Sequence, residues 1–120
     1  MRSILLLCAA CLSLPAAAQT EASLAGTWIV DLSTKPGEPY RKTMVLQLAP
    51  DGSVTGSFYD SAIEVGQWKT ARGRTCVSFR TTDGKGPYHS AACLRGDIVE
   101  GQTWAEHRTF LFNWNATRSH

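Results

Sequence analysis

Short β-prone segments, each closed by Gly, Pro, Asn or Asp and recurring roughly every ten residues, restrict this chain to an all-β sandwich or barrel. The segments cover 26–32, 43–48, 54–59, 63–70, 75–81, 88–94, 98–104 and 109–118. Between them lie Lys35-Pro36-Gly37, Pro50-Asp51-Gly52, Asp60-Ser61, Arg72-Gly73, Asp83-Gly84-Lys85-Gly86 and Gly96-Asp97, residues that preset a turn or tolerate positive φ. No stretch sustains a helical period, so no sizeable helix is expected. Met44, Leu46 and Leu48 share one face, with Thr43 and Gln47 opposite; Phe110, Phe112, Trp114 and Ala116 share another, with Asn113, Asn115 and Thr117 opposite. That alternation is what half-buried antiparallel strands require. About eight such strands on short connections predict a single small up-and-down barrel, which removes sheet edges by closing on itself, with a β-sandwich as the alternative.

The first residues stand apart from this pattern. Met1-Arg2-Ser3, the apolar run 4–14 and Pro15-Ala16-Ala17-Ala18 read as a secretory signal cleaved after residue 18. The run is too short to cross a bilayer, which takes about 20 residues. Residues 19–120 then form one domain, secreted or periplasmic, with no stable membrane insertion expected. The formal charge of the whole chain is only +2, without a basic cluster, which argues against a nucleic-acid partner. A hydrophobic share of 43% against 18% charged residues argues against disorder.

Cys8 and Cys11 leave with the signal, and the flanks of Cys11 do not suit lipid attachment. Cys76 and Cys93 remain, a pair most simply joined in an oxidising compartment. A hairpin turn centred between Gly84 and Lys85 sets them directly opposite one another, within disulfide reach. The same register places Val77 opposite Ala92 and Phe79 opposite Ser90 on the interior face. His89, opposite Arg80, faces outward.

The opening Leu24-Ala25-Gly26-Thr27-Trp28-Ile29-Val30-Asp31-Leu32 resembles the Gly-x-Trp signature of the calycin superfamily, which includes lipocalins, fatty-acid-binding proteins and avidins. The resemblance implies a lipocalin-like barrel in which Trp28 closes one end and a basic residue of the last strand packs across it. In Trp114-Asn115-Ala116-Thr117-Arg118 that residue is Arg118, so Gly26, Trp28 and Arg118 form the structural signature. A guanidinium over an indole is favourable in any fold. The run Asp51-Gly52-Ser53-Val54-Thr55-Gly56-Ser57-Phe58 also resembles an avidin hairpin. Positions that hold biotin in avidins are Val30, Thr34 and Phe58 here, with Tyr59 and Ser61 nearby, and biotin binding is not expected.

No Gly-x-Ser-x-Gly elbow, His-Glu-x-x-His motif or phosphate-cradling loop is present. His89, His107 and His120 lack metal-ligand spacing, and Asp60, Glu64 and Glu106 form no evident catalytic pair. Neither an enzyme, a metal nor a cofactor is expected. Phe58, Phe79, Tyr88, Phe110, Phe112 and Trp114 are the candidate interior and ligand-binding residues, joined by Trp28. They either line a pocket or fill a barrel that is barely wide enough for side chains, and the filled barrel is the expectation. Gly56 and Gly101 are expected to make room for close packing against rings such as Trp28 or Trp114. Three functions follow: an exported barrel binding a small apolar or aromatic ligand at its open end; a periplasmic protein-binding barrel, such as a protease inhibitor with residues 19–23 as its trunk; and, least supported, a small calycin-type enzyme.

Overall fold

A computed structural model describes residues 23–120; the expected signal segment 1–18 with Cys8 and Cys11, and residues 19–22 of the expected trunk, lie outside the described residues. Nine strands follow in order: β1 Gly26–Asp31, β2 Arg41–Leu48, β3 Ser53–Phe58, β4 Ser61–Ala62, β5 Glu64–Ala71, β6 Arg74–Thr82, β7 Pro87–Arg95, β8 Ile98–Ala105 and β9 Phe110–Arg118. Apart from the two-residue β4, they match the eight segments expected from the alternation. All neighbours are antiparallel, and the pairings β1–β9 and β2–β3 close the sheet into an up-and-down barrel. Closure leaves no long edge strand of the kind that promotes aggregation.

Turn chemistry explains the connections. The β3–β4 turn puts Tyr59 at φ 52 and Asp60 at φ 62, both central residues left-handed, as the tightest twisted hairpins demand. Arg72 and Gly73 do the same between β5 and β6. Carboxylates secure two more: Asp51 Oδ1 accepts from the Ser53 N–H and hydroxyl at 2.9 and 2.6 Å, and Asp83 Oδ1 accepts from the Lys85 N–H at 2.8 Å. β4 and β5 run along β3 as one strand interrupted by a bulge. Val65, the extra residue, is left-handed at φ 45 and 71% exposed.

Side-chain alternation delivers the core. Trp28, Val30, Met44, Leu46, Val54, Phe58, Val77, Phe79, Ala92, Val99, Trp114 and Ala116 point inward and are each at most 5% exposed. Phe58 lies 5.2 Å from Trp114 and 5.4 Å from Phe79, ring centre to ring centre. Polar atoms among these rings are matched: Ser90 Oγ and Thr103 Oγ1 bond at 2.8 Å, and the Trp114 indole N–H donates to Thr103 Oγ1 at 2.9 Å. Gly101 lies flat against Trp114, whose ring a Cβ there would meet at 2.4 Å. Gly56 also marks a close approach, but to main chain and not to a ring. A Cβ there would fall 1.8 Å from the Val45 carbonyl oxygen on β2. On the outside, Cys76 and Cys93 are paired across β6 and β7 and joined in a disulfide.

One end of the barrel is shut. Leu24 is fully buried there, and its carbonyl accepts the Trp28 indole N–H at 2.8 Å. Trp28 pairs with Arg118 across β1 and β9, and the guanidinium sits 4.2 Å from the indole centre. Arg118 donates to the carbonyls of Ser23 at 2.7 Å and Ala25 at 3.0 Å. Gly26, at φ 124, leaves room for it, since a Cβ would meet Arg118 Nη1 at 3.0 Å. Arg118 as a whole remains exposed, so it clamps the end from the solvent side and is not an interior residue.

Candidate functional site

The opposite end, or mouth, collects side chains of inward register that the core does not absorb. On β2 the face of Met44 and Leu46 continues to half-buried Lys42 and, just before the strand, exposed Tyr40. The β3–β4 turn adds Tyr59 and Asp60, the β6–β7 hairpin adds Asp83 and Tyr88, and the connection from β8 to β9 adds Arg108. Phe110 and Phe112 complete the rim on β9, both half-buried. Their rings are stacked, with centres 5.9 Å apart and 7° between planes. The mouth is therefore aromatic on two walls, with ionic groups between them.

Two clusters hold these walls in place. In the first, the hydroxyls of Tyr40 and Tyr59 are hydrogen-bonded and their rings meet edge to face. Lys42 Nζ lies 5.1 Å from the Tyr59 ring centre and 2.6 Å from Asp60 Oδ2. The bond to Asp60 raises the Lys42 pKa, and the bond to Tyr40, aided by burial, raises that of Tyr59. In the second, Arg108 Nη1 donates to the Tyr88 hydroxyl at 2.8 Å, and that hydroxyl donates to Asp83 Oδ2 at 2.8 Å. Asp83 is pulled below the usual carboxylate range, first by the Lys85 N–H and then by Tyr88. The Arg108 guanidinium lies 4.9 Å from the Phe110 ring centre. A 3-10 turn, Glu106–Arg108, followed by left-handed Thr109 at φ 48, positions this arginine.

The six candidate ligand residues divide between two environments. Phe58, Phe79 and Trp114 fill the barrel and are sealed from solvent. Tyr88, Phe110 and Phe112 share the inward register but stand at the mouth, where they remain half-exposed. Tyr40, Lys42, Asp83 and Arg108 went unrecognised in the sequence as site residues. Extending the Met44–Leu46–Leu48 alternation back past Thr43 reaches Lys42 and Tyr40; nothing local marks Arg108, which arrives through the turn.

Grooves also lie on the outer surface of the barrel. One shallow groove is lined by Pro87, His89, Trp104, Glu106 and His107, and another by Glu64, Arg80, Thr82, Lys85 and Pro87. His89 faces outward opposite Arg80, as expected. Among the described residues no group of three or more His, Cys, Asp or Glu side chains converges as metal ligands, and no helix is long and apolar enough to cross a membrane. The chain matches no protein-family model, no curated protein and no solved structure.

Proposed function

We propose that this protein is an exported binding barrel that recognises a partner protein through its mouth, while the packed interior serves as scaffold. The observation that carries this reading is the contrast between the two regions. Core residues that would have lined a pocket are at most 5% exposed, so a ligand has no room among them. At the mouth, Tyr40 is 45% and Tyr59 44% exposed, and Arg108 in the second cluster is exposed as well. Tyrosine and arginine at a well-braced site are the residues that most often dominate protein–protein affinity. The clamp of Gly26, Trp28 and Arg118 supports placing the barrel with the calycins, and the disulfide supports an oxidising compartment.

A photo-crosslinking amino acid at Tyr59 in the mature chain, expressed in an exporting cell, tests the reading. A discrete protein adduct should form from Tyr59 and none from the same probe at Lys69, on the outer wall of β5. No adduct, or equal adducts from both positions, would overturn it. Protease inhibition lost on deleting residues 19–23 would instead place the contact at the sealed end, where Ser23 lies, and overturn the mouth reading.

The stacked, half-buried Phe110 and Phe112 favour a second reading, a small apolar or aromatic ligand seated on the mouth itself. Its weakness is shallowness, since small-molecule sites bury most of the ligand surface, typically about 70–90%.

A further inference from the structure

The β1–β9 seam opens toward the mouth, and the opening is built in. Trp28 to Asp31 pair with Arg118 to Asn115, and there the ladder stops. Beyond β1, the next residue due to bond in this register is Ser33, opposite Asn113. Its N–H is taken instead by the Asp31 carboxylate, Oδ1 at 2.9 Å. Ser33 Oγ in turn accepts the Tyr40 N–H at 2.9 Å, and the Leu32 N–H donates to the Tyr40 carbonyl at 2.8 Å. The β1–β2 hairpin thus closes on itself and turns away from β9.

This leaves main-chain groups of β9 unmatched. In an antiparallel ladder, alternate residues direct both N–H and C=O to the same neighbouring strand. The Ser119 N–H donates to the Thr27 carbonyl at 2.9 Å, which identifies the odd-numbered residues of β9 as those facing β1. The register of β9 against β8 is unbroken from Thr117 to Phe110, so the alternation reaches Asn113 and Leu111. Among the described residues, no hydrogen bond from the β1–β2 hairpin reaches the main chain of either. Both are exposed, Leu111 by 58%.

We propose that the edge from Leu111 to Asn113 receives an extended segment of the partner protein as an added strand. The inference rests on the protein-binding reading above and names the mode of contact. Two residues with paired donors and acceptors at strand spacing are matched by another extended main chain. The segment's residue opposite Phe112 would point inward, onto the stacked Phe110 and Phe112, and should be aromatic or aliphatic. Its two neighbours would lie outside, beside Leu111 and Asn113.

The test pans a phage-displayed library of random linear peptides on residues 19–120 and follows amide exchange by NMR. In the free protein, the Leu111 and Asn113 amides should exchange much faster than those of Phe112 and Trp114, which face β8. Bound peptides should slow those two amides. Asn113→Pro, which deletes the N–H at the edge, should weaken binding by about tenfold, whereas Asn113→Ala should bind as the parent chain does. Failure to select any peptide, slowing at other amides only, or slow exchange at Leu111 and Asn113 in the free monomer would overturn the proposal. Protection that appears only on self-association would assign the edge to a second copy and overturn it equally. If the Tyr59 crosslink survives Asn113→Pro while the peptides leave these amides unprotected, the mouth reading stands and the added strand falls.

Discussion

Trp28, Arg118 and the 23–25 carbonyls act as one clamp because each satisfies a different need of the others. The indole N–H finds Leu24, the guanidinium finds two carbonyls and an aromatic face, and glycine at position 26 leaves space for it. Arg118 is exposed, so water can replace part of what it gives. Arg118→Ala should therefore lower stability by only about 1 kcal/mol, the scale of a surface cation–π contact or a single net hydrogen bond. A melting series would show it. Gly101 is less forgiving, since a methyl group there overlaps a ring held by Phe58 and Thr103. Gly101→Ala should cost about 1–3 kcal/mol by denaturant titration, the range of core overpacking. Both relations were legible in the sequence, one from a signature with a matching C-terminal basic residue, the other from glycine interrupting a strand. The reason for Gly56 was not. Its neighbour is the Val45 carbonyl, and main-chain approach between strands leaves no mark on residue type.

At the scale of elements, three of the turns are held by carboxylates. Asp31 is held below its ordinary pKa by the Ser33 hydroxyl and N–H, Asp51 by the Ser53 hydroxyl and N–H, and Asp83 by the Lys85 N–H and Tyr88. Folding favours the ionised form of each. Their stabilisation is complete above the ordinary carboxylate value of about 4 and is lost as pH falls through the lower folded values. The melting temperature should drop on acidification below about 4, and Asp31→Asn should flatten that drop. A melting temperature unchanged down to strongly acidic pH would contradict this. The eight long strands and the cross-strand disulfide followed from period-two patterning and the position of one four-residue turn. The two-residue β4 and the bulge at Val65 did not, because a bulge shifts register without changing composition. The same limit hid the open seam, which depends on Asp31 reaching Ser33 and not on any change in β-propensity.

Over the whole molecule, the barrel is sealed at one end, filled through its middle and aromatic at the other. Filling follows from size: in a barrel this narrow, Trp28, Phe58, Phe79 and Trp114 occupy the space that a wider barrel keeps for ligand. The polar groups among the rings, Ser90, Thr103 and the Trp114 indole, bond to one another and leave none to orient a ligand inside. The proposed recognition therefore falls to the rim, where tyrosines and cations are braced by Asp60 and Asp83. The sequence made the barrel readable but not this division, since inward alternation is the same for a ring at the centre and a ring at the mouth. Intrinsic tryptophan fluorescence of the mature protein, titrated with lipids, aromatic compounds and haem, tests the division most directly. A filled barrel gives no saturable change from Trp28 or Trp114, which are already enclosed by protein, once exposed Trp104 is replaced by Phe. A saturable one-to-one change that reports an apolar ligand beside Trp114 would contradict it.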